Sequence, residues 1–118
     1  EFVGWVRGNK KDLLLRQSDI FFLPSYNEGM PMAILDAMGY GLPIISTNVG
    51  GIPKIVKQNF NGYLCNPGDK DAFAKSIITI LKDKDLLLKY SKNSYNIVKN
   101  KYSFEKHINL IQELYTNI

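Results

Sequence analysis

Two carboxylates, Glu28 and Asp36, stand eight positions apart in a stretch with almost no other charge. Between Glu28 and Lys54 the sole formal charge is that of Asp36. A run this apolar and glycine-rich is expected to lie largely inside a folded domain, where an unpaired carboxylate is costly. Carboxylates kept there need partners, and a hydroxyl-rich or cationic ligand is one kind of partner. Glu28 belongs to the turn Asn27-Glu28-Gly29-Met30-Pro31, which follows an apolar run and opens a helical one. That junction is where α/β sheets place ligands. A helix starting at Pro31 leaves N–H groups unpaired in its first turn, at Met30 and Met32 among others, and its dipole favours an anion there. Amides for a diphosphate and carboxylates for hydroxyls together suit a sugar nucleotide. Asp36, about one and a half turns further along, shares a helix face with Met32, Gly39 and Tyr40 and could reach a second hydroxyl pair. The plainer alternatives are an acid favoured by the helix dipole for Glu28 and a solvent-facing residue for Asp36. Gly50-Gly51 is either an ordinary turn or a place where backbone approaches a phosphate closely.

These residues need a scaffold, and the rest of the chain reads as one. Glu1-Phe2-Val3-Gly4 has the look of a strand already under way. Lys10 to Gln17 is expected to be helical, with Leu13 and Leu14 facing inward. Ile20-Phe21-Phe22-Leu23, ended by Pro24, reads as a short strand buried on both faces of a parallel sheet. Pro31 suits a first helical position, and the helix Met32 to Gly39 should stop at Gly39-Tyr40-Gly41. Leu42 to Ser46 is a second strand, Ile52 to Lys57 a short helix, and Asn61 to Cys65 a third strand. Asp69 or Asp71 caps a helix reaching about Lys82. Further helices are expected over Asp85 to Lys99 and Ser103 to Thr116. Strands alternating with helices predict an α/β fold, a Rossmann-like parallel sheet flanked by helices. No repeat, linker or low-complexity tract divides the 118 residues, so 1–118 is one domain at most.

The stretch from Pro24 to Val56 also resembles the donor-binding signature of family 4 retaining glycosyltransferases of the GT-B fold. That signature reads Pro-Ser-x-x-Glu-Gly-hydrophobic-Pro, then an acidic-Ala-Met step, then Gly-x-Pro and Gly-Gly-hydrophobic-Pro. Each step is present here. The resemblance implies a transferase that moves a sugar from a nucleotide-sugar donor with retention and without a metal cofactor, most commonly in bacterial envelope polysaccharide synthesis. It gives Glu28 contact with the donor sugar and a part in the retaining centre. Asp36 takes the place of the acid that binds the ribose; most members have Glu there, so the reach is one methylene shorter. Backbone at Gly29, Met30, Pro31 and Met32 would line sugar and phosphate, and Val6, in the strand-end segment Gly4-Trp5-Val6, would contact the base. Tyr102-Ser103-Phe104-Glu105 resembles the family's motif at the last helix. The resemblance further implies that residues 1–118 are the second half of a C-terminal donor-binding domain. An N-terminal acceptor domain and two strands carrying a cationic Arg/Lys clamp would lie elsewhere in the parent protein. In the sheet those two strands would sit between the strand ending at Gly4 and the strand Ile20 to Leu23, so the Ile20–Leu23 edge of this chain alone would invite a homodimer. A catalytically silent α/β nucleotide-binding module is the alternative reading.

Composition narrows the field. Hydrophobic residues make up 45% of the chain and charged ones 22%, ordinary proportions for a globular protein. Cys65 alone cannot form an internal disulfide, and Cys65 with the single histidine, His107, is too little for a zinc site. Cys65 reads instead as a small apolar residue beside Leu64. Nucleic-acid binding is not expected, since there is no arginine cluster and no aromatic-basic alternation. No apolar run approaches the roughly 20 residues that span a bilayer, and the start does not read as a signal peptide, so cytoplasmic residence is expected. The net charge of +4 is concentrated in the lysine-rich second half. That surplus is either a solvated helical face or a weak attraction to the anionic inner face of the membrane.

Overall fold

A computed structural model describes residues 8–26 and 32–101, with side-chain surroundings for 13–26 and 32–100. Within them three strands, β1 (Phe21–Leu23), β2 (Ile44–Thr47) and β3 (Gly62–Cys65), form a parallel sheet in that order. Phe21 pairs with Ile44, and Ile44 in turn with Gly62. Four α-helices surround the sheet: α1 (Gly8–Gln17), α2 (Met32–Gly39), α3 (Lys70–Lys82) and α4 (Lys84–Lys101). A 3₁₀ turn over Ile52–Lys54 stands where the sequence predicts a short helix.

Because successive strand residues face opposite ways, β2 feeds two cores. Ile44 joins Leu15 of α1, Ile34, Ala37 and Met38 of α2, and Ile52, Ile55 and Val56 on one face. Ile45 joins Cys65, Phe73, Ile80 and Tyr90 on the other. Ile44 and Ile45 are both fully buried, each stabilising the fold by roughly 1.5–3 kcal/mol. Burial and a hydrogen bond with Tyr63 push the Tyr90 hydroxyl well above the usual tyrosine range.

Local signals set the helix ends. In α2, Leu42 N–H donates to Ala37 O at 3.2 Å and Gly41 N–H to Met38 O at 2.9 Å. Gly41 adopts a φ of 74°, which closes the helix by a left-handed glycine cap as the sequence predicts. Asp69 caps α3 by accepting from Ala72 N–H at 3.0 Å. Asp83 alone separates α3 from α4; its N–H donates to Ile80 O and its side chain accepts from Leu86 N–H.

Three sequence expectations shift. In α1 the inward residue is Leu15, with Leu14 half-buried and Leu13 54% exposed, a helical phase set one residue later. Strand β1 is not buried on both faces: Phe22 is 39% exposed, because the described residues cover the sheet face it enters incompletely near β1. Asn61 precedes β3 rather than opening it. It is fully buried, its side chain accepting from Lys57 N–H at 2.7 Å and donating to Ile55 O at 3.2 Å. A turn-forming amide thus replaces a strand residue. The expected strand at Glu1–Gly4 and helix at Ser103–Thr116 lie outside the described residues.

Helix α4 braces one rim of the sheet. Ser91 Oγ donates to Gly41 O, Asn93 Nδ2 to Phe60 O at 2.7 Å and Ser94 Oγ to Asn61 O at 3.5 Å. All three acceptors precede β2 or β3, so α4 lies across the N-terminal rim. Among the described residues no helix lies across the C-terminal rim. No helix among the described residues is long and apolar enough to cross a membrane.

Among the described residues β1 has a strand on one side only. An apolar edge of this kind templates pairing with another chain. The isolated 118-residue chain is therefore expected to self-associate through Phe21–Leu23. Sedimentation of the isolated chain should show a dimer or larger species; a clean monomer at high micromolar concentration would argue against edge pairing.

Candidate functional site

The C-terminal rim gathers polar groups at the ends of all three strands. After β1 the chain runs through Pro24, Ser25 and Tyr26; β2 ends at Thr47 and Asn48; β3 leads through Asn66 and Pro67 to Gly68. Side chains extend the strand order beyond the backbone ladder. Ser46 Oγ donates to Leu23 O at 2.6 Å, and Ser25 N–H donates to Thr47 Oγ1 at 3.2 Å. Asn48 Nδ2 donates to Asn66 Oδ1 at 3.0 Å. These bonds hold the β1 loop against β2 and the β2 loop against β3. The segment leading to residue 28 therefore leaves from a fixed platform.

Gly50 takes a φ of 54°, so the turn between β2 and Ile52 needs the left-handed freedom of glycine at that position. Gly68, with a φ of 82°, lies where an added Cβ would come within 3.2 Å of the Tyr26 hydroxyl. The β1 and β3 loops approach each other there.

Of the sequence-predicted site residues, Met32 and Asp36 are described. They occupy one exposed face of α2 with Gly39 and Tyr40, as their spacing predicts. Met32 opens α2, and its side chain is 44% exposed. Burial is not what presses Asp36 toward a ligand: the residue is exposed, and the residues buried on this helix are Ile34, Ala37 and Met38. The expectation that the stretch lies largely inside the domain holds for 42–47, for Ile34, Ala37 and Met38, and for Ile52, Ile55 and Val56, and fails for Asp36, because only one side of α2 meets the core. Glu28, Gly29, Met30, Pro31 and Val6 lie outside the described residues.

Beside this platform a groove of 460 Å³ runs along the α3 side of the rim. Ser25, Tyr26, Thr47, Gly68 and Lys70 form its polar end, and Phe22, Phe73 and Ile77 its apolar floor. Tyr26, Thr47, Asn48, Asn66 and Lys70 were not singled out by sequence reasoning. For Thr47, Asn48 and Asn66 the signal is a polar residue at the end of a short apolar run, where parallel strands end; Tyr26 and Lys70 carry no such mark.

A parallel sheet flanked by helices and braced at its N-terminal rim by α4 defines a class, the Rossmann-like α/β architecture. Comparison with known proteins specifies it. Residues 1–97 match the family described as Glycosyl transferases group 1, and the chain belongs to that family. It is 38% identical over 98% of its length to the Escherichia coli UDP-Gal:alpha-D-GlcNAc-diphosphoundecaprenol alpha-1,3-galactosyltransferase, of which it spans 29%. Among solved structures, it is similar to the C-terminal domain of LpcC, a group 1 glycosyl transferase of Francisella tularensis. That match has a TM-score of 0.79 and 30% identity, covering 87% of this chain and 53% of that one. The Thermosynechococcus elongatus sucrose-phosphate synthase gives a TM-score of 0.87 at 27% identity, over 99% of this chain and 29% of that one. The architecture is that of a GT-B glycosyltransferase domain.

Proposed function

We propose that residues 1–118 form the nucleotide-sugar-binding half of a C-terminal domain, within a longer glycosyltransferase that transfers a sugar with retention. The observation that carries this reading is the polar C-terminal rim formed by the described ends of all three strands. There the fixed Ser25–Thr47 platform delivers the chain toward Glu28, while α2 presents Met32 and Asp36 on an accessible face. The similarity to a galactosyltransferase named for a UDP-sugar donor and a lipid-diphosphate acceptor supports the same donor class. It also supports a place in bacterial surface polysaccharide assembly.

In this reading Glu28 contacts the transferred sugar and stabilises charge at its anomeric carbon. Backbone amides from Gly29 to Met32, with Pro31 setting the helix start, receive the diphosphate. Asp36 accepts hydrogen bonds from the ribose hydroxyls, and Val6 contacts the base through its backbone. The acceptor is held by a domain elsewhere in the parent. Because amides and a cationic clamp neutralise the diphosphate, no divalent metal is required, and turnover in the full-length protein should survive EDTA. Proton NMR of the transferred sugar tests the stereochemistry: product with the donor's anomeric configuration supports retention, and the inverted anomer refutes it.

Asp36 is expected to serve donor affinity. Asp36→Ala in the full-length enzyme should raise KM for the donor with kcat little changed, as loss of uniform binding does. Losing a hydrogen bond to a charged acceptor typically costs about 1.5–3 kcal/mol, which corresponds to a KM roughly 10- to 150-fold higher. Asp36→Glu should be tolerated. A collapse of kcat at constant KM would exchange the roles of the two acids.

A further inference from the structure

The central strand changes character at its end. In Ile44-Ile45-Ser46-Thr47 two aliphatic residues are followed by two hydroxyls, and all four are buried. A hydroxyl taken out of water without a partner is costly, so each needs a bond inside the fold. Both find it on the chain leaving β1. Ser46 Oγ donates to Leu23 O at 2.6 Å, and Thr47 Oγ1 accepts from Ser25 N–H at 3.2 Å. Successive strand side chains leave opposite faces of a sheet, so Ser46 lies on the Ile44 face and Thr47 on the Ile45 face. The exit from β1 is gripped from both sides.

The two grips differ in kind. Leu23 is the last residue of the β1–β2 register, paired with Ser46. Alternate residues of a strand turn their backbone groups toward a given neighbour. Phe21 turns toward β2, donating to Pro43 O at 3.0 Å, so Leu23 and then Ser25 follow in that alternation. At Ser25 the acceptor is a side chain, Thr47 Oγ1, where the ladder would offer a carbonyl. Pro24, between them, has a fixed φ and no N–H to donate. Thr47 thus takes over from the backbone ladder one step beyond its end, and the place of one hydroxyl sets where Ser25 comes off the sheet.

Glu28 stands three residues past Ser25 in the sequence, a length of chain spanning at most about 11 Å. The far side of that segment is anchored separately. Helix α2 begins at Met32 and is seated through Ile34, Ala37 and Met38, all fully buried. A displacement at Ser25 is therefore carried to Glu28 before it is carried to the helix. In an enzyme a misplacement of about 1 Å costs on the order of 100-fold in rate.

We propose that Thr47 is a positioning residue of the transfer reaction: its Oγ1 fixes the root of the Glu28 segment through Ser25 N–H, with Ser46 as the second grip on the same exit. This inference rests on the reading of Glu28 as the group that contacts the transferred sugar. Thr47 itself is assigned no contact with donor or acceptor. Its use lies in the acceptor oxygen alone. Valine keeps the branched shape and loses that oxygen; serine keeps the oxygen and loses only a methyl group.

A double-mutant cycle in the full-length protein, assayed well below the melting temperature of each variant, tests this. Thr47→Val should lower kcat about 10- to 100-fold, with donor KM changed by less than about 3-fold. Thr47→Ser should keep kcat within about 3-fold of wild type. In a Glu28→Gln background, Thr47→Val should lower kcat by less than about 2-fold further, because a residue acting through Glu28 has nothing left to position. An equal fall in both backgrounds overturns the proposal, since general loosening of the fold behaves that way. Wild-type kcat in Thr47→Val overturns it too, as does a Thr47→Ser enzyme no faster than the valine variant. Should Thr47→Val not fold, Ser46→Ala carries the same cycle. A kcat fall of about 3- to 10-fold that vanishes in Glu28→Gln then supports the proposal, and no fall or an additive one overturns it. Glu28→Gln alone separates the two readings. If that variant is slow and Thr47→Val is not, only the role of Thr47 is lost; if Glu28→Gln turns over like wild type, the role of Glu28 is lost and that of Thr47 with it.

Discussion

Glu28→Gln in the full-length enzyme is expected to lower kcat by about 10²–10³, the usual cost of losing one group aimed at developing transition-state charge. Two features of the chain motivate the size of the effect. In the sequence Glu28 follows Ser25 of the platform by three residues and precedes α2 by four. It is also one of only two acids between Asp19 and Asp69, and the other, Asp36, is assigned to the ribose. Glutamine keeps the volume and the hydrogen-bonding reach while removing the charge. The melting temperature should therefore hold while turnover falls, and donor KM should change far less than kcat. Steady-state kinetics with a saturating acceptor makes the measurement. Near wild-type turnover would remove Glu28 from the chemistry.

The second large effect is on stability. A Cβ added at Gly62 would lie 1.7 Å from Ile44 O and 2.7 Å from its carbonyl carbon. Those atoms are backbone of the central described strand and cannot rotate away. Relief would require β3 to move from β2, breaking the 3.0 Å bond from Ile44 N–H to Asn61 O and unseating the buried Asn61 side chain. Gly62→Ala should cost about 3 kcal/mol or more, at or beyond the upper end of ordinary overpacking. Gly39 is the internal control. Nothing lies within 4 Å of a Cβ built there, and alanine in the last turn of α2 should be neutral or stabilising by up to about 1 kcal/mol. Thermal melting of the two variants should separate them clearly. Equal melting temperatures would mean that the β2–β3 approach is looser than the structure places it.

Much of this architecture is legible in the chain because short-range chemistry writes it. Met32 to Gly39 carries its own stop at Gly41, and Asp69 announces α3; both are local effects within one turn of helix. The parallel sheet follows from apolar runs too short and too separated to be hairpins. What escaped the sequence depends on distant neighbours. The phase of α1 is set by where Leu15 finds the Ile34–Ile44 core. Asn61 is buried where two separate segments, β2 at Ile44 and the connection at Ile55 and Lys57, use its donors and acceptors. Asp36 looked like an acid trapped in an apolar stretch, yet an eight-residue helix buries one side only, and its charge lies on the other. The groove at Phe22 could not be read at all, since it joins Phe22 to Phe73 and Ile77, which meet only in the folded chain. Recognition of the family came from the spacing of the acids, glycines and prolines, which survives in sequence even where the side chains' surroundings do not.

The central claim, that this chain handles the donor of an active glycosyltransferase, is tested most directly by donor hydrolysis. The full-length protein would be incubated with a panel of nucleotide sugars in the absence of acceptor, and release of free nucleotide diphosphate followed over hours. Slow hydrolysis of one donor, lost in Glu28→Gln and weakened in apparent affinity in Asp36→Ala, is the predicted result. Saturable nucleotide binding with no release from any donor, and no transfer when candidate acceptors are added, would contradict it and leave a silent nucleotide-binding module.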